Sequence, residues 1–238
     1  MKPLFYVKIL TIVFILMNSC TSSHKTDIEL NDEWYNVGIL IMDGVYNTEL
    51  TAPYDIFQHT RFRDGIKAMN VFTIADTDQP IKTFEGMYIL PDFNYLKNYP
   101  HIDILVVPSA EHHLDSDLEN KVMIDFVKEV GEKAEFITSH CDGAFVLAKA
   151  GLLDGLKSTT FPSDIDEYEK MFPELDVVSD VLFVHDGKAI TSAGGAKSFE
   201  AALYLSELLY GEEIAASLAK GLVIDWDLSK VPRLVESR

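Results

Sequence analysis

Cysteine is nearly absent from this chain: of its 238 residues only Cys20 and Cys141 carry a thiol. A disulfide scaffold is thereby excluded, and the core must be held by burial. Basic residues are also scarce. Lys and Arg number 20 against 38 Asp and Glu, a formal net charge of −18. Phosphate backbones and anionic lipid heads repel such a surface, and no basic cluster relieves it, so nucleic acid is not expected as a partner. The acidic residues are scattered as on a solvated surface and do not form a tail. Long apolar runs are missing too: "ILTIVFILM" (9–17) is shorter than the roughly 20 residues that span a bilayer. Repeats and low-complexity segments are absent. What remains, 47% hydrophobic and 24% charged residues, is the composition of a globular protein long enough for one large core.

The N-terminus reads as a targeting segment. Lys2 and Lys8 form a positive region, the apolar run follows, and "NSC" closes it. The segment resembles a bacterial lipoprotein signal, with 1–19 removed and Cys20 lipidated as the first mature residue. An ordinary cleaved signal peptide or an uncleaved anchor is the alternative. Loss of Lys2 and Lys8 would take the formal charge from −18 to −20. Residues 20–34 then form a polar tether, 35–228 the folded domain, and 229–238 a C-terminal tail. The expected location is the bacterial cell envelope, facing the periplasm or exterior, with the lipid as the only membrane contact.

Within the domain, apolar runs alternate with helical patterns. "VGILIMD", "NVFTIAD", "HIDILVVPSA" and "AEFITSH" read as buried strands without period-two alternation. "ELTAPYDIFQHT", "DLENKVMIDFVKEVGEK", "DGAFVLAKAGLL" and "AKSFEAALYLSELLYG" read as helices. "DQPIKTFEGMYILPD" reads as a small hairpin turning near Glu85-Gly86, and Asp186-Gly187 marks a second turn. This alternation predicts an α/β fold, a mostly parallel sheet with helices on both faces.

Cys141 closes the fourth strand. With Ser139 and Gly143 it makes the pattern S-x-C-x-G, the cysteine counterpart of the serine nucleophile elbow. A thiol at a helix N-terminus should feel the positive end of the dipole, which favours thiolate. Gly143 lets the helix approach the sheet. The pattern alone leaves two readings open, a reactive thiol or a small core residue.

"ITSHCDGAFVLAKAGLLDGLKSTT" resembles the ThiJ/PfpI superfamily of class I glutamine-amidotransferase-like proteins. "VGILIMDGVYNTELTAPYDIF", "DILVVPSAE" and "FVHDGKAITSAGGAKSFEAALYLSELLYG" agree in order, so the likeness covers roughly 37–225. It is nearest the branch of isocyanide hydratases and AraC-type sensor domains. The resemblance implies a flavodoxin-like three-layer sandwich with a cysteine elbow. It places Cys141 on the nucleophile and Glu49 on the acid that hydrogen-bonds the sulfur. It also places the oxyanion site at the backbone N–H groups of Ala110 and Asp142. A carboxylate beside a thiolate is costly, so Glu49 is expected to be protonated when Cys141 is ionised.

The chain departs from the family pattern at three places. Ser109-Ala110 replaces Gly-Gly. Phe161 stands where many relatives have a histidine, which removes that Cys–His dyad. Asp142 brings an acid next to the thiol, where it suits a helix dipole but opposes thiolate. His112 or His113 is expected to line the cleft, together with Phe161, whereas His140 should be structural because adjacent strand residues face opposite sides. The spacing of Glu111, His112, His113, Asp115 and Asp117 matches no standard metal-ligand set, so neither metal nor cofactor is expected.

Two functions follow from this reading. One is a cysteine-dependent hydratase or hydrolase acting on a small electrophile. Isocyanide hydration suits a site without the histidine better than amide hydrolysis or glyoxalase-type chemistry. The alternative is a non-catalytic domain that binds a small molecule or senses redox state through Cys141. Either function implies a small-molecule substrate or ligand. The family resemblance also allows a homodimer.

Overall fold

The computed structural model describes residues 28–236. The signal segment and Cys20 lie outside the described residues. Part of the tether lies within them: Ile28 and Leu30 pack against the core, and the Asn31 N–H donates to the Asn70 side chain.

An eight-stranded sheet forms the centre, in the order β12-β10-β11-β7-β6-β1-β2-β5. Its strands are β1 (Tyr35–Leu40), β2 (Met69–Ala75), β5 (Phe93–Asn94), β6 (Ile104–Val107), β7 (Phe136–His140), β10 (Phe183–Asp186), β11 (Ala189–Ser192) and β12 (Arg233–Val235). Every pairing is parallel except β10 with β11, a hairpin turning at Gly187. Two small ladders stand apart. β3 (Ile81–Lys82) pairs antiparallel with β4 (Tyr88–Ile89) across the Glu85-Gly86 turn, and β8 (Lys157–Ser158) pairs with β9 (Asp176–Val177).

Side-chain alternation along the strands feeds a core on each face, because helices cover both. Leu40, Leu105, Val107 and Ile137 face one core, with α2 (Lys121–Lys133), α3 (Gly143–Lys149) and α4 (Ile165–Met171) above it. Val37, Ile39, Ile104 and Val106 face the other, against α1 (Asn47–Gln58), α5 (Ser198–Tyr210) and α6 (Glu212–Gly221). The result is a three-layer α/β sandwich, flavodoxin-like as the family resemblance implies. Among the described residues, no helix is long and apolar enough to cross a membrane.

Two boundaries differ from expectation. Arg233–Val235 falls in the expected tail but adds β12 beside β10, where only one partner strand is needed to order three residues. α1 begins at Asn47, before the expected "ELTAPYDIFQHT", which puts Pro53 in its second turn. Lacking an N–H, it leaves the Glu49 carbonyl without its usual helical donor.

The topology also marks a switch point. From β1 the chain runs outward to β2 and β5, and from β6 it runs the other way to β7 and β11. Ligands of open α/β sheets bind beyond the carboxyl ends of strands at such a reversal. The segments leaving β1, β6, β7 and β11 there supply the residues described next.

Candidate functional site

Cys141 follows the last residue of β7 with φ of 53°, in the left-handed region. A non-glycine residue rarely sits there, and such strain persists only when its surroundings hold it. Two close glycine contacts and one backbone hydrogen bond do so. An added Cβ on Gly143 would lie 2.0 Å from the Val107 carbonyl oxygen, so α3 can press onto β6 only without a side chain at that position. An added Cβ on Gly194 would lie 2.3 Å from the Cys141 Cβ. On the far side, the Cys141 N–H donates to the Ser192 carbonyl at 2.9 Å.

Glu49 reaches the same point from the first turn of α1. It is 5% exposed, and both of its oxygens accept backbone hydrogen bonds. The Ser109 N–H donates to Oε2 at 3.2 Å, and the Gly195 N–H donates to Oε1 at 3.0 Å. Those donors lie 60 and 146 residues away along the chain. Burial pushes the Glu49 carboxyl up to about 7, against these bonds and a contact with the Cys141 sulfur.

Asp142 also turns toward the sulfur. The Cys141 thiol donates to its Oδ2 at 3.5 Å. The Thr160 hydroxyl lies 3.1 Å from Asp142 Oδ1 and 3.1 Å from the Cys141 carbonyl, and donates to this pair. Burial, then Asp164, pushes Asp142 up to about 6. Burial likewise pushes the thiol of Cys141 up, and the charges of Glu49 and Asp142 push it further. The expected lowering by a helix dipole does not prevail. α3 spans only 7 residues, and its end cannot outweigh desolvation and two neighbouring carboxyls. The resting thiol is therefore neutral.

The other predicted residues are placed as follows. Ala110 is buried in an isolated bridge with Val45. Its N–H has no acceptor among the described residues, and the Asp142 N–H faces the Cys141 sulfur. His112 is half exposed and pairs with Asp115 at 3.4 Å. His113 is the buried one: its ring meets the Asp142 carbonyl, and its Nε2 lies 3.2 Å from Met42 Sδ. Burial lowers it to about 3, so it is neutral. His140 is buried against the Ser192 hydroxyl at 3.1 Å and is also held neutral, at about 3. Phe161 is 39% exposed and leads into the 3₁₀ turn Pro162–Asp164. No group of three or more His, Cys, Asp or Glu among the described residues could hold a metal ion.

Sequence reasoning missed four contributors. Ser109 was visible only as a replaced glycine, yet its buried hydroxyl faces the sulfur. Gly195 donates to Glu49, Thr160 anchors Asp142, and Asp164 raises it. The adjacent glycines of "TSAGG" after an apolar run were the available signal for the first of these three. Nothing local marks the other two.

Comparison with known proteins agrees with this architecture. The DJ-1/PfpI family model matches residues 35–208. An isonitrile hydratase of Pseudomonas putida is 27% identical over 181 residues, covering 75% of this chain and 74% of that protein. A THiJ/PfpI family protein from Pseudomonas syringae superposes with a TM-score of 0.71 at 21% identity, covering 89% of this chain and 85% of that one. An AraC family transcriptional regulator from Pseudomonas putida superposes at 0.69 and 16% identity, covering 79% and 99%. The strained elbow cysteine, the buried acid beside it and the match over most of the chain lead to one statement: this chain belongs to the DJ-1/PfpI family.

Proposed function

We propose that the chain is a cysteine-dependent enzyme that adds water to a small electrophilic carbon, with isonitriles the first substrate class to test. One observation carries this reading: the Cys141 sulfur is held at a strained elbow against a buried Glu49 whose proton affinity lies near neutrality. Such a carboxyl can give and take a proton at working pH. Both oxygens of Glu49 are fixed by backbone donors, so its geometry is set before a substrate arrives.

The chemistry balances without a cofactor. Sulfur bonds to the terminal carbon of R–NC and loses its proton, while Glu49 protonates that same carbon, leaving a thioimidate. Water adds to this carbon, and the nitrogen gains a proton. The C–S bond then breaks, sulfur recovers its proton, and the N-formyl amine leaves. The N–H groups of Ala110 and Asp142 would hold the negative charge that develops during addition. The experiment is to incubate the protein with small isonitriles and measure formamide by mass spectrometry. Turnover lost in Cys141→Ser supports the reading; turnover that survives it ends it.

One observation favours a second reading, a small-molecule binding or redox-sensing domain. The thiol is buried and neutral, which slows unassisted attack. Ligand-dependent thermal stabilisation kept in Cys141→Ser, with no turnover in either protein, would favour that reading.

Export as a lipoprotein anchored through Cys20 is a further proposal, resting on residues 1–20 alone. Mass analysis of the membrane fraction tests it, and an unmodified Cys20 in the mature protein would end it. A homodimer is proposed from the family; a monomeric mass by light scattering would overturn it.

A further inference from the structure

We propose that the Asp142 carboxylate is the general base for the Cys141 thiol, taking the proton that a histidine takes in a Cys–His pair. This inference rests on the enzymatic reading above and gives that site its second proton carrier.

Consecutive residues normally point apart, but the positive φ of Cys141 folds the Asp142 side chain back onto the sulfur. The thiol already donates to Oδ2 at 3.5 Å, so the proton lies on the line of transfer. Oδ1 is held by the Thr160 hydroxyl at 3.1 Å, and the carboxyl is 8% exposed, which fixes its orientation. Thr160 directly precedes Phe161, the residue that stands in place of a histidine.

The groups facing Asp142 are Cys141 on the elbow, Glu49 on α1, Tyr46 just before α1, His113 after β6 and Asp164 in the 3₁₀ turn. None is a cation, since His113 is neutral. Asp142 is thus a stronger base than an ordinary carboxylate, poised at about 6, while Glu49 at about 7 keeps its proton more readily. Two carboxyls with separated proton affinities divide naturally into base and acid. The neutral thiol fits this scheme, because its proton can leave as the bond forms and no free thiolate is needed. As the sulfur electron pair forms the S–C bond, its proton passes to Asp142 Oδ2. The electron pair left on the substrate takes a proton from Glu49. When the C–S bond breaks, Asp142 returns its proton to sulfur and Glu49 takes the proton of the hydroxyl that becomes the carbonyl, so both carboxyls are restored and no oxidant or reductant is consumed.

The test uses the full-length protein, with iodoacetamide as a probe and Cys141 alkylation followed by peptide mass spectrometry from pH 5 to 8.5. Wild type should show a rising limb near pH 6 and a plateau above it, because the proton then moves within the site. Asp142→Asn should lose the plateau and rise continuously with pH. Glu49→Gln should keep the limb near 6. Thr160→Val should keep the plateau and shift the limb upward, which a purely structural role for Asp142 would not produce. With a small isonitrile, Asp142→Asn should lower kcat about 100-fold or more. A wild-type profile without the limb, or a limb that survives in Asp142→Asn, overturns the proposal. Turnover abolished by Cys141→Ser but unchanged in Asp142→Asn overturns the base assignment and leaves the enzymatic reading standing. Absence of isonitrile turnover, with the limb lost in Asp142→Asn, ends hydration and upholds the base.

Discussion

Gly143→Ala places two physical effects in opposition. Gly143 opens α3, and alanine in a helix is favoured over glycine by roughly 0.5–1 kcal/mol. Propensity alone therefore predicts a more stable protein. The structure predicts the reverse. The new Cβ would lie 2.0 Å from the Val107 carbonyl oxygen, 2.9 Å from its carbon and 3.2 Å from the Pro108 oxygen. Comfortable contact needs about 3.5 Å. All three neighbours are backbone atoms of β6 and the turn after it, so no side chain can rotate away. α3 must retreat, and with it the packing of Ala144, Phe145, Val146 and Leu147, each buried. Overpacking of this kind costs about 1–3 kcal/mol, occasionally more, and rigid neighbours place it at the upper end. After the propensity gain, the net loss should be about 2–3 kcal/mol. In a domain of this size that lowers the melting temperature by about 4–12 °C. Differential scanning calorimetry reads it directly. Gly155→Ala serves as the comparison: nothing lies within 4 Å of its added Cβ, so only the strain of a φ of 71° opposes it. It should leave Cys141 alkylation unchanged, whereas Gly143→Ala should alter it. A Gly143→Ala protein that melts at or above wild type would refute the argument that close helix–sheet approach requires this glycine.

Other outcomes follow from the same geometry. The folded-state Glu49 carboxyl is raised from 4.5 to about 7, so its contribution to stability is complete below about 4.5 and is lost as pH rises through 7. Relative to Glu49→Gln, wild type should lose on the order of 3 kcal/mol across that window, measured as the difference in urea unfolding free energy. Parallel pH profiles for the two proteins would count against a buried, proton-holding Glu49. Gly194→Ala should displace the elbow, because its Cβ would meet the Cys141 Cβ at 2.3 Å and φ is 77°; a crystal structure with Cys141 unmoved would contradict this. Tyr168→Phe removes a fully buried hydroxyl that lies 3.2 Å from the Ser158 hydroxyl and 3.4 Å from the Ala144 carbonyl. It should cost about 1 kcal/mol in urea unfolding, and a neutral result would show that Ser158 finds another partner.

Much of the sheet was readable from local pattern. The runs that became β1, β2, β6 and β7 are rich in apolar residues and show no regular polar alternation, because helices cover both faces of a parallel sheet. The elbow at Cys141 was readable as well: a small set of residue types must sit between a strand and a helix if the turn is to be tight. Glu49 was reached only through family resemblance, since a carboxylate in the first turn of a helix is equally at home as a surface group. The three residues of β12 carry no periodicity of their own and became a strand only because β10 offered an edge.

The sequence by itself determined the class of fold, the strand-to-helix turn that carries the thiol, and the absence of a histidine at position 161. Those are local facts, set by residue type and spacing. Only the tertiary structure decided the chemical state of the site. It brought the Ser109 and Gly195 amides onto Glu49 from 60 and 146 residues away, and set Thr160 against Asp142. By burying Cys141, Glu49 and Asp142 together, it raised the proton affinity of all three. A sequence expectation built on the helix dipole favoured thiolate, whereas the folded protein holds a neutral thiol. The reason is that desolvation depends on everything packed around a group, which no short stretch of chain can specify.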